Sequence, residues 1–263
     1  LARSIITLTT DFGSADHLAG TMKGVILSIN PDAEIADITH HVLPYDLLDG
    51  ALAIGQAYKY FPAKTIHVVV VDPGVGTERR PLLVSAGTHY FVAPDNGVLS
   101  MVYEREAQLT VRHITSDHYF LQPLSTTFHG RDIFSPVAAW LSKTWQTNAF
   151  GEEITDFVRF TLPKPKPAGK GVKGVVLRAD NFGNLLTNLA AEDMPQVLAG
   201  TSFKMRVGNA EISKFAQTFS EGGPNEPVLL MGSSGFFEVA VNRGSAAKVV
   251  GANRGAEVTV EFA

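Results

Sequence analysis

Hydrophobic and polar positions change period several times along the first 160 residues. Residues 5–10 (IITLTT) form a short β-branched run that predicts a strand, closed by Asp11-Phe12-Gly13. Over residues 17–30 the spacing turns helical, with Leu18, Met22, Val25, Ile26 and Ile29 on one face, and Pro31-Asp32 stops it. Residues 34–39 (EIADIT) alternate as a strand, and a second helix is predicted over residues 47–61 after Pro44. Residues 66–71 (IHVVVV) are almost uninterruptedly β-branched, as in a strand covered on both faces, and they end at Asp72-Pro73-Gly74. Strand-like segments at 82–86 and 89–93 lead into Pro94-Asp95-Asn96-Gly97, and a helix is predicted over residues 133–143. Strand, helix, strand, helix, strand is the order of an α/β layered domain with a central, mostly parallel sheet.

The pattern breaks at residues 162–171 (LPKPKPAGKG), where alternating Pro and Lys forbid helix and favour an extended, solvated spacer. Short strands are predicted beyond it at 172–177, 203–207, 227–230, 236–241 and 258–262, separated by Gly, Asn and Ser, with one helical stretch at 194–198. The expected organisation is therefore an α/β domain over residues 1–161, a Pro/Lys linker over 162–171, and a smaller antiparallel, β-barrel-like domain over 172–263.

Composition narrows the function. With 263 residues, 45% hydrophobic and only 18% charged, the chain has the makings of a sizeable core and is no disordered polymer. A net charge of -4 lacks the basic footprint of a nucleic-acid binder. No apolar run approaches the roughly 18 residues of a membrane span. The absence of cysteine excludes disulfides, thiolate nucleophiles and thiolate metal sites, and fits a cytoplasmic protein. The chain opens on Leu1 in place of Met, which leaves room for a removed leader.

Candidate chemistry collects where buried strands end, because ligands of open α/β sheets bind beyond the carboxyl ends of their strands. Asp11 and Asp72 stand at two such ends, where a carboxylate can accept sugar hydroxyls or orient a water; an Asp in that place also builds turns. In residues 71–80 (VDPGVGTERR), Gly74 and Gly76 permit close backbone approach, and Arg79 or Arg80 is placed to clamp Asp72. The segment lacks the GK[ST] ending of a phosphate-binding loop. His129, in TFHGRD beside Gly130, stands out among eight histidines as a proton-exchange candidate. No HxxxH or HxH spacing supports a metal site. Residues 180–188 (DNFGNLLTN) set Phe182 between Asp180 and Asn184, an aromatic face flanked by hydrogen-bonding edges that suits a planar base as well as it suits a turn. Residues 232–247 (GSSGFFEVAVNRGSAA) offer Ser233, Ser234 and backbone amides to a carboxylate.

Taken in order, TTDFG, DITH, VVDPGVGTERR, APDNG, FHGRDIFSP, DNFGNLLTN and SSGFFEVAVN resemble the motifs of the S-adenosylmethionine (SAM) hydroxide adenosyltransferases, or SAM hydrolases, relatives of the SAM-dependent fluorinase and chlorinase. The likeness runs from about Ile5 to Ala247. It implies an N-terminal α/β domain, a C-terminal barrel-like domain, and a homotrimer holding SAM between neighbouring subunits, with no cofactor and no metal. It further implies SAM hydrolysis to adenosine and methionine, with Asp72, Arg79 and His129 ordering the attacking water. By the same resemblance Asp11 binds the ribose hydroxyls, with Asp16 in the same loop and Tyr45 and Phe128 lining the nucleoside pocket. Phe182 and Asn184 correspond to the adenine contacts, Asp180 to the partner of the methionine ammonium, Ser233 and Ser234 to residues near its carboxylate, and Arg243 to a backbone contact with adenine. Ser234 departs from the fluorinase branch, which carries Arg there. Asp72 and Gly130 side with the water-using branch, since the halogenases lack that Asp and the fluorinase has Ser in place of Gly130. A halogenase, a non-catalytic SAM or adenosine sensor, and a metal-dependent hydrolase built on the Asp and His residues are the competing readings.

Overall fold

The computed structural model describes residues 3–263, which divide into two compact units on either side of the Phe160–Thr161 peptide bond. The first unit contains strands β1 (Ile5–Thr10), β2 (Glu34–Thr39), β3 (Ile66–Val70), β4 (Pro81–Ala86), β5 (His89–Pro94), β6 (Leu109–His113) and β7 (Glu153–Ile154). They make one seven-stranded sheet in the order β2-β1-β3-β5-β4-β6-β7. The half from β2 to β5 is parallel, and β4, β6 and β7 complete it antiparallel. Helices α1 (Leu18–Ile29), α2 (Leu47–Ala57), α3 (Ser100–Arg105) and α4 (Ser135–Thr144) cover both faces.

The apolar run of β3 explains the layering. All five of its residues are buried. Ile66, Val68 and Val70 pack with Met22 and Ile26 of α1 and Val137 and Leu141 of α4. Val69, and Val71 just beyond the strand, turn to the opposite layer, against Ile54 of α2 and Val102 of α3. Successive side chains of a strand point to opposite faces, so a strand apolar at nearly every position needs a helix layer on each side. Asp46 starts α2 by accepting the Asp49 backbone N–H at 3.0 Å, satisfying one of the open donors of the first turn. The helix predicted over 133–143 begins instead as a π-helical turn, Gly130–Phe134, that runs into α4.

The second unit holds β8 (Lys166–Ala168), β9 (Gly171–Ala179), β10 (Leu185–Ala190), β11 (Phe203–Val207), β12 (Ala210–Ile212), β13 (Pro227–Met231), β14 (Phe236–Val241) and β15 (Glu257–Phe262), with short helices α5 (Pro195–Leu198) and α6 (Ala246–Val250). They form an antiparallel, nearly barrel-shaped sheet, β12-β11-β15-β9-β10-β14-β13, with β8 paired to β9. The nine residues of β9 let it pair with both β15 and β10 and so join the two halves. Phe237, Val239 and Val241 of β14 point into the core with Val176, Leu185, Met205 and Val258. Within residues 162–171, Lys166–Ala168 form β8, which turns at Gly169–Lys170 and pairs with β9 in this sheet. Among the described residues no helix is long and apolar enough to cross a membrane.

Two features of the first unit have measurable consequences. His67 is wholly buried in β3, 2.7 Å from Thr7 Oγ1 through Nδ1 and 3.3 Å from His89 Nδ1 through Nε2. Burial, aided by His89, pushes its pKa from 6.5 down to about 3. The folded ring therefore stays neutral while the unfolded one gains its proton near pH 6.5, so stability falls as pH drops from 6.5 towards 3. The unfolding midpoint of the protein should fall over that window. His67→Leu should flatten the fall while costing about 1–3 kcal/mol at neutral pH, because the Thr7 hydroxyl loses its partner. An unchanged pH slope in the variant would contradict this. Gly76 has a φ of 78°, and a methyl group there would run into the Thr126 carbonyl oxygen. Gly76→Ala should lower stability by about 1–3 kcal/mol, whereas Gly74→Ala, whose methyl meets Arg79 Cγ at an ordinary 3.5 Å, should be tolerated. Equal midpoints for the two variants in thermal unfolding would refute the distinction.

Candidate active site

Strands β1 and β3 are parallel neighbours with Thr10 opposite Val70, so the residues that follow them emerge at one edge of the sheet. Asp11 and Asp72 are close enough there for each to feel the other's charge. Burial raises the Asp11 pKa, with the Asp72 charge adding to it and the donated Tyr45 backbone N–H, 2.8 Å from Oδ2, opposing it. Tyr45 adopts a positive φ of 65° and leaves its ring 75% exposed. The preceding Thr10 hydroxyl meets His40 Nδ1 at 2.9 Å, and His40 Nε2 lies 3.0 Å from Asp37, itself paired with Lys23 at 2.6 Å. This chain is what the DITH motif builds, and it braces the end of β1.

Asp72 is held by Arg79, seven residues on, across the turn that Gly74 and Gly76 form. The guanidinium Nε donates to both carboxylate oxygens at 2.9 Å, and Nη2 donates to Oδ2 at 2.5 Å. The same Nη2 lies 2.7 Å from His129 Nδ1. Both side chains of the ion pair are nearly out of solvent, at 9% exposure for Arg79 and 4% for Asp72. The Phe134 ring lies under the guanidinium with its centroid 5.2 Å from Cζ. Arg79 Nη1 is buried with no hydrogen-bond partner among the described residues.

A guanidinium has no acceptor atom, so every contact to it fixes a proton position. Nδ1 of His129 must present its lone pair to Arg79, which leaves the ring proton on Nε2. Burial lowers the His129 pKa, and the neighbouring Arg79 cation lowers it further, while Asp72, Asp132 and the Ser125 backbone act in the opposite sense. The ring is thus a neutral acceptor at neutral pH. Its place comes from the π-helical turn that follows it, a device common where helices carry functional groups. Ser135 closes that turn by donating to the Gly130 carbonyl at 2.7 Å.

Arg80, the other candidate clamp, points elsewhere. It donates to Asp95 at 2.9 and 2.7 Å and to Asp156 at 2.9 Å. Asn96 donates to the Val71 carbonyl at 2.9 Å and so supports the residue before Asp72. These contacts give the APDNG motif a structural purpose that its turn-like composition concealed. Asp16 is exposed and accepts the Leu18 N–H at 3.1 Å at the start of α1. Phe128 packs edge-on against Phe12, with ring centroids 5.9 Å apart.

In the second unit a cavity of about 950 Å³ collects Asp180, Phe182, Asn184, Ser233, Glu238 and Arg243 in its wall. Phe182 is 75% exposed, presenting an open aromatic face. Asp180 shapes the loop beneath it: Oδ1 accepts from the Phe182 and Asn184 backbones at 2.9 and 2.8 Å, and Oδ2 from Asn184 Nδ2 at 2.9 Å. Ser234 is not part of the wall but meets Glu238 through its side chain. Phe219 and Glu238 line the same cavity and were not singled out from the sequence. Phe219 lies in a polar stretch, and Glu238 reads as an ordinary outward residue of an alternating strand. No group of three or more His, Cys, Asp or Glu among the described residues is arranged to hold a metal ion.

Residues 6–151 match the SAM hydroxide adenosyltransferase N-terminal domain, and residues 174–259 the C-terminal domain of the same family. A curated (R)-S-adenosyl-L-methionine hydrolase of Salinispora tropica is 36% identical over 261 residues, covering 97% of each chain. A fluorinase of Actinoplanes sp. is 27% identical, again over 97% of each. The crystal structure of an uncharacterized conserved protein from Thermotoga maritima superposes with a TM-score of 0.91 at 36% identity, covering 97% of this chain and 99% of that one. With both domain models matched in order over most of its length, the chain belongs to the SAM hydroxide adenosyltransferase family.

Proposed function

We propose that this protein hydrolyses SAM to adenosine and L-methionine by attack of water on C5′ of the ribose, with Asp72, Arg79 and His129 as the catalytic group. The observation that carries this reading is the single guanidinium that joins the Asp72 carboxylate to His129 at the carboxyl edge of the parallel strands. The chemistry asks for little more. As the O–C5′ bond forms, the C5′–S bond breaks and its electron pair returns to sulfur, which leaves as a neutral thioether and needs no general acid. The enzyme has to align one water and stabilise the charge that develops on it. Asp72 Oδ1 carries one guanidinium contact and Oδ2 two, so Oδ1 keeps a lone pair for the water proton. His129 faces Arg79 with its lone pair, so its role is to hold the guanidinium rather than to take the proton. Alignment of the water by the clamped carboxylate carries most of the work.

Asp11, Asp16, Tyr45 and Phe128 are assigned to the ribose and nucleoside in this reading. Phe182, Asn184 and Arg243 are assigned to adenine, and Asp180, Ser233 and Ser234 to the methionine end. Support for the second group, Ser234 apart, comes from the shared cavity and the exposed Phe182 face. A homotrimer in which neighbouring subunits share each substrate, a cytoplasmic location and independence from metal belong to the same proposal. Halogenation is disfavoured because an anionic Asp72 repels a halide at close range.

The relatives' name specifies the (R) configuration at sulfur, so each sulfonium epimer should be assayed separately in ¹⁸O-labelled water. The expected products are methionine and adenosine with one ¹⁸O at the 5′ oxygen, unaffected by chelator and by excess chloride or fluoride. Asp72→Asn should lower kcat by at least about 100-fold while SAM still binds. Unlabelled adenosine, a halogenated nucleoside, or binding without turnover would each contradict the reading.

A further inference from the structure

Asp132 is a buried carboxylate that the water-ordering group does not use. Its side chain is 0% exposed, and it sits in the π-helical turn that follows His129. A carboxylate taken wholly out of water is costly unless donors surround it. Arg131 Nε donates to its Oδ1 at 2.5 Å, and Nη2 to its Oδ2 at 3.0 Å. The Ser125 backbone N–H donates to Oδ2 at 2.8 Å. Arg131 keeps 33% of its side chain in solvent, where water satisfies a guanidinium without help. The contact that calls for an acceptor inside the turn is the one to Ser125.

Ser125 belongs to a loop, residues 121–127, whose other residues are exposed. Asp132 ties this loop twice. Its carboxylate takes the Ser125 N–H, and its backbone carbonyl takes the Leu121 N–H at 2.8 Å. The Ser125 backbone is in turn a hydrogen-bond partner of the His129 ring. Nδ1 of that ring faces Arg79 with its lone pair, so the ring donates from Nε2 and the Ser125 carbonyl accepts. Ser125 therefore stands between two side chains, its N–H on Asp132 and its carbonyl on the imidazole. A single contact at Nδ1 lets an imidazole swing about it, whereas a second contact on the opposite edge fixes the ring.

We propose that Asp132 is a positioning residue for His129: by holding Ser125 it keeps in place the carbonyl that takes the ring's Nε2 proton, and so keeps Nδ1 on Arg79. Its bearing on turnover rests on the hydrolase reading, whereas the chain of hydrogen bonds does not. Asp132 acts through Ser125 and His129 on the guanidinium that clamps Asp72.

Nitrogen–proton NMR of the substrate-free protein reads the ring proton, and kcat with SAM reads the consequence. In the intact protein the Nε2 proton of His129 should be visible and slow to exchange with water. Asp132→Leu, which keeps a branched shape but accepts no hydrogen bond, should lose that signal and lower kcat about tenfold or more. Asp132→Asn should recover most of both, since its amide oxygen can face Ser125 while its NH2 turns towards Arg131, which is free to move into solvent. A folded Asp132→Leu protein that keeps the ring proton and kcat would overturn the assignment. If that variant does not fold, amide exchange in the intact protein decides. The Ser125 N–H should then be protected while that of its exposed neighbour Thr126 is not, and equal rates for the two would overturn it. A ring proton that Asp132→Leu abolishes, in a protein that turns over no SAM, would leave the positioning intact and end the hydrolase reading.

Discussion

The Arg79 guanidinium is the interaction on which the first unit's site depends. It is planar and permanently charged, and its donors are fixed in direction. With one edge on Asp72 and the shared Nη2 on His129, it joins the end of β3 to a turn that lies 50 residues beyond Arg79 itself. It also sets the proton positions of the group. A lysine would keep the charge but could not hold both partners in one plane.

The sheet explains why this group forms where it does. A strand as apolar as β3 is stable only between two helix layers, and that burial makes its carboxyl end a rigid platform for Asp72. The parallel pairing with β1 then sets Asp11 beside it. Close approach of the two loops is permitted by Gly76, whose missing side chain leaves room for the Thr126 carbonyl three residues before His129. The second unit works differently. There an antiparallel sheet directs its apolar alternation into a core and leaves the other face of β14 to line a cavity with Glu238.

Much of this was legible in the chain. IHVVVV announced a doubly covered strand, and the polar residues directly after IITLTT and IHVVVV marked the site's edge. What stayed hidden was mostly non-local. Nothing in GTERR distinguishes Arg79 from Arg80, because the choice depends on Asp95 and Asp156 capturing the latter. α3 and α6, at six and five residues, span too few turns to show a helical period. β10 was masked by the turn-forming residues of DNFGN, although LLTN behind them is wholly buried. Glu238 fitted an alternating strand so well that its exposure to a cavity instead of to open solvent left no trace in the pattern.

Nitrogen-15 NMR of the histidine side chains, with His129 assigned by substitution, bears most directly on the central claim. If Arg79 donates to Nδ1, the His129 ring is neutral at neutral pH, carries its proton on Nε2, and protonates only below the ordinary histidine range. A proton on Nδ1, or a doubly protonated ring at neutral pH, would mean that the guanidinium does not join the two halves of the site.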